Sequence, residues 1–225
     1  MLVLLPVLAV LAVVFGPMLY VRWTMARHGG DRPDFPGTGG ELARHLLDEA
    51  GLRHVPVERI PAGDHYDPVA RAVRLGEDHF DGRSVTAVAV AAHEVGHAVQ
   101  HRDGMAMFGL RMTLVRVLAA TERTAFVILL LTPLLGAITR SPGLILAQLA
   151  LSIAVMALSV IVHLVTLPVE FDASYRRALP ALATGYLGGR DLPRARSVLR
   201  AAAFTYVASA LMSLLNIARL ARVFR

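Results

Sequence analysis

The chain has 225 residues, 55% hydrophobic and 18% charged, and its mean hydropathy of +0.54 excludes extended disorder and argues against a purely water-soluble globule. With no cysteine and no lysine among its residues it has no disulfide, no thiolate metal site and no Schiff-base chemistry, so a metal must be held by His, Asp or Glu. The net charge of +6 comes with only 6% aromatic residues and no basic-aromatic recognition pattern, so no nucleic-acid partner is expected; Arg beside long apolar runs reads as membrane topology.

Residues 1–21 form the first expected span, since Leu2 to Val21 is long enough to cross roughly 30 Å of hydrocarbon. No basic residue precedes this run and no small-x-small site ends it, so it reads as an anchor and not a secretory leader. Arg22, Arg27 and Arg32 follow, which puts the N-terminus outside and the next segment in the cytoplasm. Residues 22–113 have ordinary composition and are expected to fold as a catalytic region. Asp31 to Gly40 is a linker. Thr38 and Glu41 make a capping box for a helix carrying Leu42, Leu46, Leu47 and Ala50, with Gly51 as its stop. Val55 to Ile60 and Ala70 to Leu75 read as strands of a small sheet, with a turn over Ala62 to Pro68 between them and a free edge on the second strand for an extended substrate. Gly76 to Gly82 reads as a turn, and Ser84 opens a helix that ends near His101 to Gly104.

Two further spans, 114–139 and 143–169, form a hairpin around Ser141-Pro142-Gly143, whose turn carries the single Arg140. The segment 170–200 returns with Arg176, Arg177, Arg190, Arg194, Arg196 and Arg200, on the same side as the catalytic region. Residues 201–218 are expected to form a fourth span, weakened by Thr205, Ser209, Ser213 and Asn216, with the tail Arg219, Arg222 and Arg225 facing outward against the rule.

The helix after Ser84 carries His93-Glu94-Val95-Gly96-His97. Residues four apart share one helix face, so both imidazoles can bind one ion while the carboxylate beside them stays close without ligating it. Zinc fits two imidazoles and an oxygen ligand, with water in the fourth place. Glu94 then acts as general base toward zinc-activated water, and the reaction class is peptide hydrolysis. Three residues compete as third ligand. His101 lies about 12 Å along the axis from His93. Asp103 sits ten residues after His93, as in metzincin-like enzymes, but Gln100 occupies the place where that pattern needs Gly. Glu170 follows the third span, where the chain re-emerges on the side of His93, and this position favours it.

These residues resemble the YugP-type neutral zinc metallopeptidases of bacterial membranes. The resemblance runs through Asp64 to Pro68, Ala91 to His101, Val165 to Ser174 and Ala202 to Val207. The segment from Glu170 is also similar to the Glu-x-x-x-Asp element of HtpX-like proteases, a gluzincin-like site in which Glu is the third ligand and the Asp supports a metal-bound His. Ser174 stands at that last position here, with a hydroxyl that can hydrogen-bond an imidazole but brings no charge. The resemblance implies His93, His97 and Glu170 as ligands of one zinc ion and Glu94 as base. The reaction class calls for a protein or peptide substrate, and the spans with their arginines for a multi-pass location in the bacterial cytoplasmic membrane.

The expected fold is therefore a mainly α integral membrane protein: a zincin-like α+β catalytic region, small sheet plus metal helix, joined to about four transmembrane helices. His65 and Tyr66, in the turn before the second strand, could reach a developing oxyanion. His163 shares a face with Glu170 two turns earlier, and Arg177 could polarise a substrate carbonyl. The leading reading is a membrane-anchored zinc endopeptidase acting on membrane or membrane-associated proteins, with its site on the cytoplasmic side. An intramembrane site-two-like protease needs the metal helix itself to span, which Glu77, Asp78 and Asp81 just upstream oppose. The other alternative is a non-proteolytic zinc-stabilised scaffold or chaperone, which has no use for Glu94.

Overall fold

The computed structural model describes residues 4–61, 63–139 and 142–223; Leu2, Ala62, Arg140, Ser141 and Arg225 lie outside the described residues. The chain runs α1 (Leu4–His28), α2 (Gly39–Glu49), β1 (Val57–Ile60), β2 (His65–Asp67), β3 (Ala72–Gly76), α3 (Glu77–Phe80) and α4 (Val85–Arg102). It continues through α5 (Ala106–Thr139), α6 (Pro142–Phe171), a π-helical segment (Asp172–Ala178), α7 (Leu179–Ala183) and α8 (Leu192–Val223). The protein is mostly helical with one small sheet.

Local chemistry sets these boundaries. At the start of α2 the Glu41 N–H donates to Thr38 Oγ1 at 3.2 Å, and the Thr38 N–H donates to Glu41 Oε2 at 2.8 Å, so two orphan donors are satisfied reciprocally. Gly51 ends this helix with φ +72°, a left-handed conformation that glycine adopts without a Cβ clash. Ser84 caps α4 by accepting the Ala87 N–H at 3.0 Å.

The sheet has the order β1-β3-β2, with β3 parallel to β1 and antiparallel to β2. This corrects the expectation of a free edge on Ala70 to Leu75: β3 is central, and β2, inside the expected turn, is the edge. The reason is local. Asp67 Oδ1 accepts the N–H groups of Val69 at 2.8 Å and Ala70 at 3.0 Å, and Arg71 takes φ +52°. The reversal fits into four residues and leaves His65–Asp67 free to pair with β3. The expected turn at Gly76 to Gly82 contains α3, and Asp64 ties it down. Asp64 Oδ1 accepts the Gly76 N–H at 2.9 Å, and Oδ2 lies 2.8 Å from His79 Nδ1, a hydrogen bond that raises the imidazole pKa above its ordinary value.

Helix α4 is buried along most of its length, packed against α2, β3, the π-helical segment and α8. Leu47, Leu75, Leu182 and Leu199 belong to the core it shares. It is therefore the element that the rest of the molecule holds in place. The long helices α1, α5, α6 and α8 pack on one another and turn large apolar side chains outward, among them Trp23, Phe126, Leu130, Leu146 and Leu164.

Among the described residues one continuous helical rod, Leu146–Ala183, is long and apolar enough to cross a membrane. Val85–Arg102 and Ala106–Ile128 pass the same test as a pair, but with a 100° bend between them. On this measure one or two of the expected four spans are found among the described residues.

Candidate metal centre

Three side chains from two distant segments meet beside α4. His93 and His97 lie one turn apart on its buried face, and Glu170 lies near the end of α6, where the helix widens into the π-helical segment. One ligand atom from each falls within 4.8 Å of the others. Glu170 Oε2 lies 3.1 Å from His93 Nε2 and 3.6 Å from His97 Nε2, and all three side chains are buried. The close approach of the two segments depends on Gly96, because a Cβ there would lie 2.9 Å from Ala173 O. A π-helical turn directly after Glu170 fits the association of such turns with functional sites.

The outer nitrogens of both imidazoles are fixed by hydrogen bonds. Gln100 Nε2 donates to Val169 O at 2.7 Å and to Asp172 Oδ2 at 2.9 Å, so its Oε1, 2.9 Å from His97 Nδ1, is the acceptor of that pair. His97 therefore carries its proton on Nδ1 and turns a lone pair from Nε2 toward Glu170. Ser174 Oγ lies 3.1 Å from His93 Nδ1 and can hold the same tautomer there. Two imidazole lone pairs and a carboxylate oxygen then converge on one buried point, an arrangement of acceptors that needs a cation to be stable. This donor set suits zinc. Glu170 Oε1 has no hydrogen bond of good geometry among the described residues, although the Arg111 guanidinium lies 3.1 Å away.

Glu94 occupies the same turn of α4 without joining the cluster. Its Oε2 accepts the Tyr66 N–H at 2.8 Å, from the edge of β2 that β3 does not use. A cleft of about 220 Å³ runs over this point, lined among others by His65, Tyr66, His93, Glu94, Arg111 and Tyr206. A second, largely apolar cleft of about 230 Å³ reaches His93, Glu94 and Glu170 from Val21, Met25 and Val198.

A family model described as "Putative neutral zinc metallopeptidase" matches residues 2–225. The chain belongs to that family. The chain is also 36% identical over 219 residues to the "Putative membrane protease YugP" of Bacillus subtilis (strain 168), covering 96% of this chain and 94% of the relative. No solved structure gives a significant match.

Within the chain the sequence-derived site residues fall into two groups. His93, Glu94, His97, Glu170, Ser174, His65 and Tyr66 come together at the cluster or its cleft. The Tyr66 phenol turns away to His101 Nδ1 at 2.9 Å, and burial raises its pKa, so its backbone N–H is the group that meets Glu94. Arg177 and His163 do not line the cleft. Arg177 donates to Asp172 Oδ2 and Asp103 Oδ2, each at 2.7 Å, and holds the Asp103 carboxyl below its ordinary pKa. The shared Asp172 carboxylate places its guanidinium behind Gln100. Of the other candidate ligands, His101 bonds to Tyr66 and Asp103 to Arg177, both away from the cluster.

Three residues at the site were not anticipated: Gln100, Arg111 and Tyr206. Only Gln100 had a local signal, being three residues after His97 and so on the same helix face. Replacing it by Leu removes the acceptor for His97 Nδ1 and is expected to weaken zinc affinity by about 10- to 100-fold, the usual effect of losing a partner of a ligating histidine. Competition with a chromophoric chelator measures this, and an affinity equal to that of the unaltered protein would remove the amide from the account.

Proposed function

We propose that this protein is a membrane-anchored zinc endopeptidase that cleaves membrane or membrane-associated proteins. The observation that carries the proposal is the buried convergence of His93 Nε2, His97 Nε2 and Glu170 Oε2, with Glu94 alongside but outside the set. In this reading residues 22–113 are the catalytic region, and 1–21, 114–139, 143–169 and 201–218 anchor it in the cytoplasmic membrane as four spans. The arginines after the first and third spans support a cytoplasmic site. The printed name of the Bacillus relative and the apolar rod Leu146–Ala183 support membrane association.

His93, His97 and Glu170 hold the zinc ion, which supplies a Lewis acid that lowers the pKa of water toward neutrality and offsets charge on a carbonyl oxygen. Every other task falls to the chain itself. The Tyr66 N–H fixes Oε2 of Glu94 and leaves its Oε1 free to take a proton from the attacking water. Glu94 then passes that proton to the departing amine nitrogen. Arg111 and Tyr206 face the same cleft, where they can donate to the carbonyl oxygen as it gains charge. The exposed edge of β2 gives an extended peptide a strand to pair with beside Glu94. A structural zinc site needs no base of this kind, which favours hydrolysis over a scaffold.

The test is proteolysis by the full chain in detergent or lipid. Cleavage of an unfolded membrane-protein substrate should stop when zinc is chelated and return when zinc is restored. Cleavage that persists in the zinc-free protein would contradict the proposal.

A further inference from the structure

The cleft beside Glu94 does not end at Tyr66. A second hollow of about 240 Å³ begins on the other side of the same residue, lined by Leu52, His54, Val55, Arg71, Ala98, His101 and Arg102. Tyr66 lines both, so a peptide lying along the edge of β2 passes from one to the other. The charge in this hollow is one-sided. Arg44, Arg74 and Arg102 are each paired with a carboxylate, whereas Arg71 and Arg53 have no ion pair among the described residues, and of these two only Arg71 lines the hollow. No acidic side chain lines the hollow. Arg71 is also held in an unusual way: its φ of +52° is uncommon for a residue with a Cβ, and the Asp67 carboxylate fixes the turn that imposes it.

Resting on the peptidase reading above, we infer that the hollow beyond Tyr66 is a substrate subsite in which Arg71 selects an acidic side chain about three residues from the bond that is cut. The separation follows from the geometry of α4. Glu94 and His101 are seven residues apart, about 10 Å at 1.5 Å per residue. An extended peptide covers roughly 3.3 Å per residue, so three residues span that distance. The subsite accounts for an unpaired cation presented on a rigid turn at the end of the catalytic cleft.

The experiment uses the full chain in detergent and a set of peptides that differ only in carrying Glu or Gln at one position, scanned across four positions on each side of the cleaved bond. Glu at about the third position on one side should raise kcat/KM roughly three- to fivefold over Gln, as for an exposed ion pair, and the advantage should shrink with added salt. Arg71→Asn tolerates the left-handed backbone and should abolish the advantage; Arg71→Lys should restore part of it, and Arg71→Glu should transfer it to a Lys peptide. A Glu advantage that survives Arg71→Asn, or no advantage at any position while cleavage still depends on Glu94, overturns the subsite and leaves the peptidase reading intact. If no peptide is cut, the peptidase reading fails, and the subsite is read separately from binding of the Glu and Gln peptides: equal affinity for both overturns it.

Discussion

Glu94→Gln is expected to lower kcat by about two to four orders of magnitude while the zinc remains bound, the range attributed to a positioned general base. The two side chains are nearly the same shape, and the glutamine oxygen can still accept the Tyr66 N–H that now meets Glu94 Oε2 at 2.8 Å. The amide cannot take a proton from water at neutral pH. Because Glu94 stands outside the cluster of His93, His97 and Glu170, its replacement removes no ligand. Metal content and single-turnover cleavage, measured on the same preparation, separate these effects. Turnover at the unaltered rate would contradict the assigned role, and loss of zinc would show that Glu94 helps to hold the metal.

The second large effect is expected from adding one methyl group. In Gly96→Ala the new Cβ would lie 2.9 Å from Ala173 O and 3.3 Å from Ala173 Cα, and neither is the end of a flexible side chain. Helix α4 and the π-helical segment must separate. Alanine gains about 1 kcal/mol in helix propensity over glycine, but overpacking of this kind costs about 1–3 kcal/mol. The greater consequence concerns the cluster, because His93 and His97 sit on one of the separating segments, while Ser174 belongs to the other and Glu170 directly precedes it at the end of α6. Both zinc retention and thermal stability should fall. Gly109→Ala on α5, where a Cβ meets nothing within 4 Å, should leave zinc retention unchanged and lower the Tm not at all, and serves as the control. Full zinc occupancy and an unchanged Tm in Gly96→Ala would show that the close approach is not needed.

Much of the centre was legible because it depends on helical periodicity. His93 and His97 fall on one face by spacing alone, the Thr38 capping box and the Ser84 cap mark their helices, and the position of Glu170 after an apolar run returns it to the side of α4. What escaped depends on contacts made across the chain. Three residues of β2 carry too little alternation to read as a strand, and they pair only because the Asp67 turn brings β3 back beside them. Arg111 and Tyr206 come from α5 and α8 and have no local pattern pointing to the cleft. Gln100 was visible but was weighed only as a misfit to a glycine position, whereas its amide orders His97, Val169 and Asp172 at once. Arg177 has the reverse history: a cation after an apolar run suggested a substrate contact, yet two carboxylates bind it behind the site.

The number of membrane crossings rests on apolarity, which among the described residues is strong in Leu146–Ala183. The chemistry rests elsewhere, on whether a carboxylate 77 residues from His93 in sequence completes its ligand set. The most direct measurement is zinc content and affinity of the unaltered chain and of Glu170→Gln, purified in parallel. One zinc ion per unaltered chain is predicted, with affinity reduced by more than about 100-fold in the variant, since losing a ligand should exceed the effect of losing a ligand's partner. Equal zinc content and equal affinity in the two proteins would contradict the account.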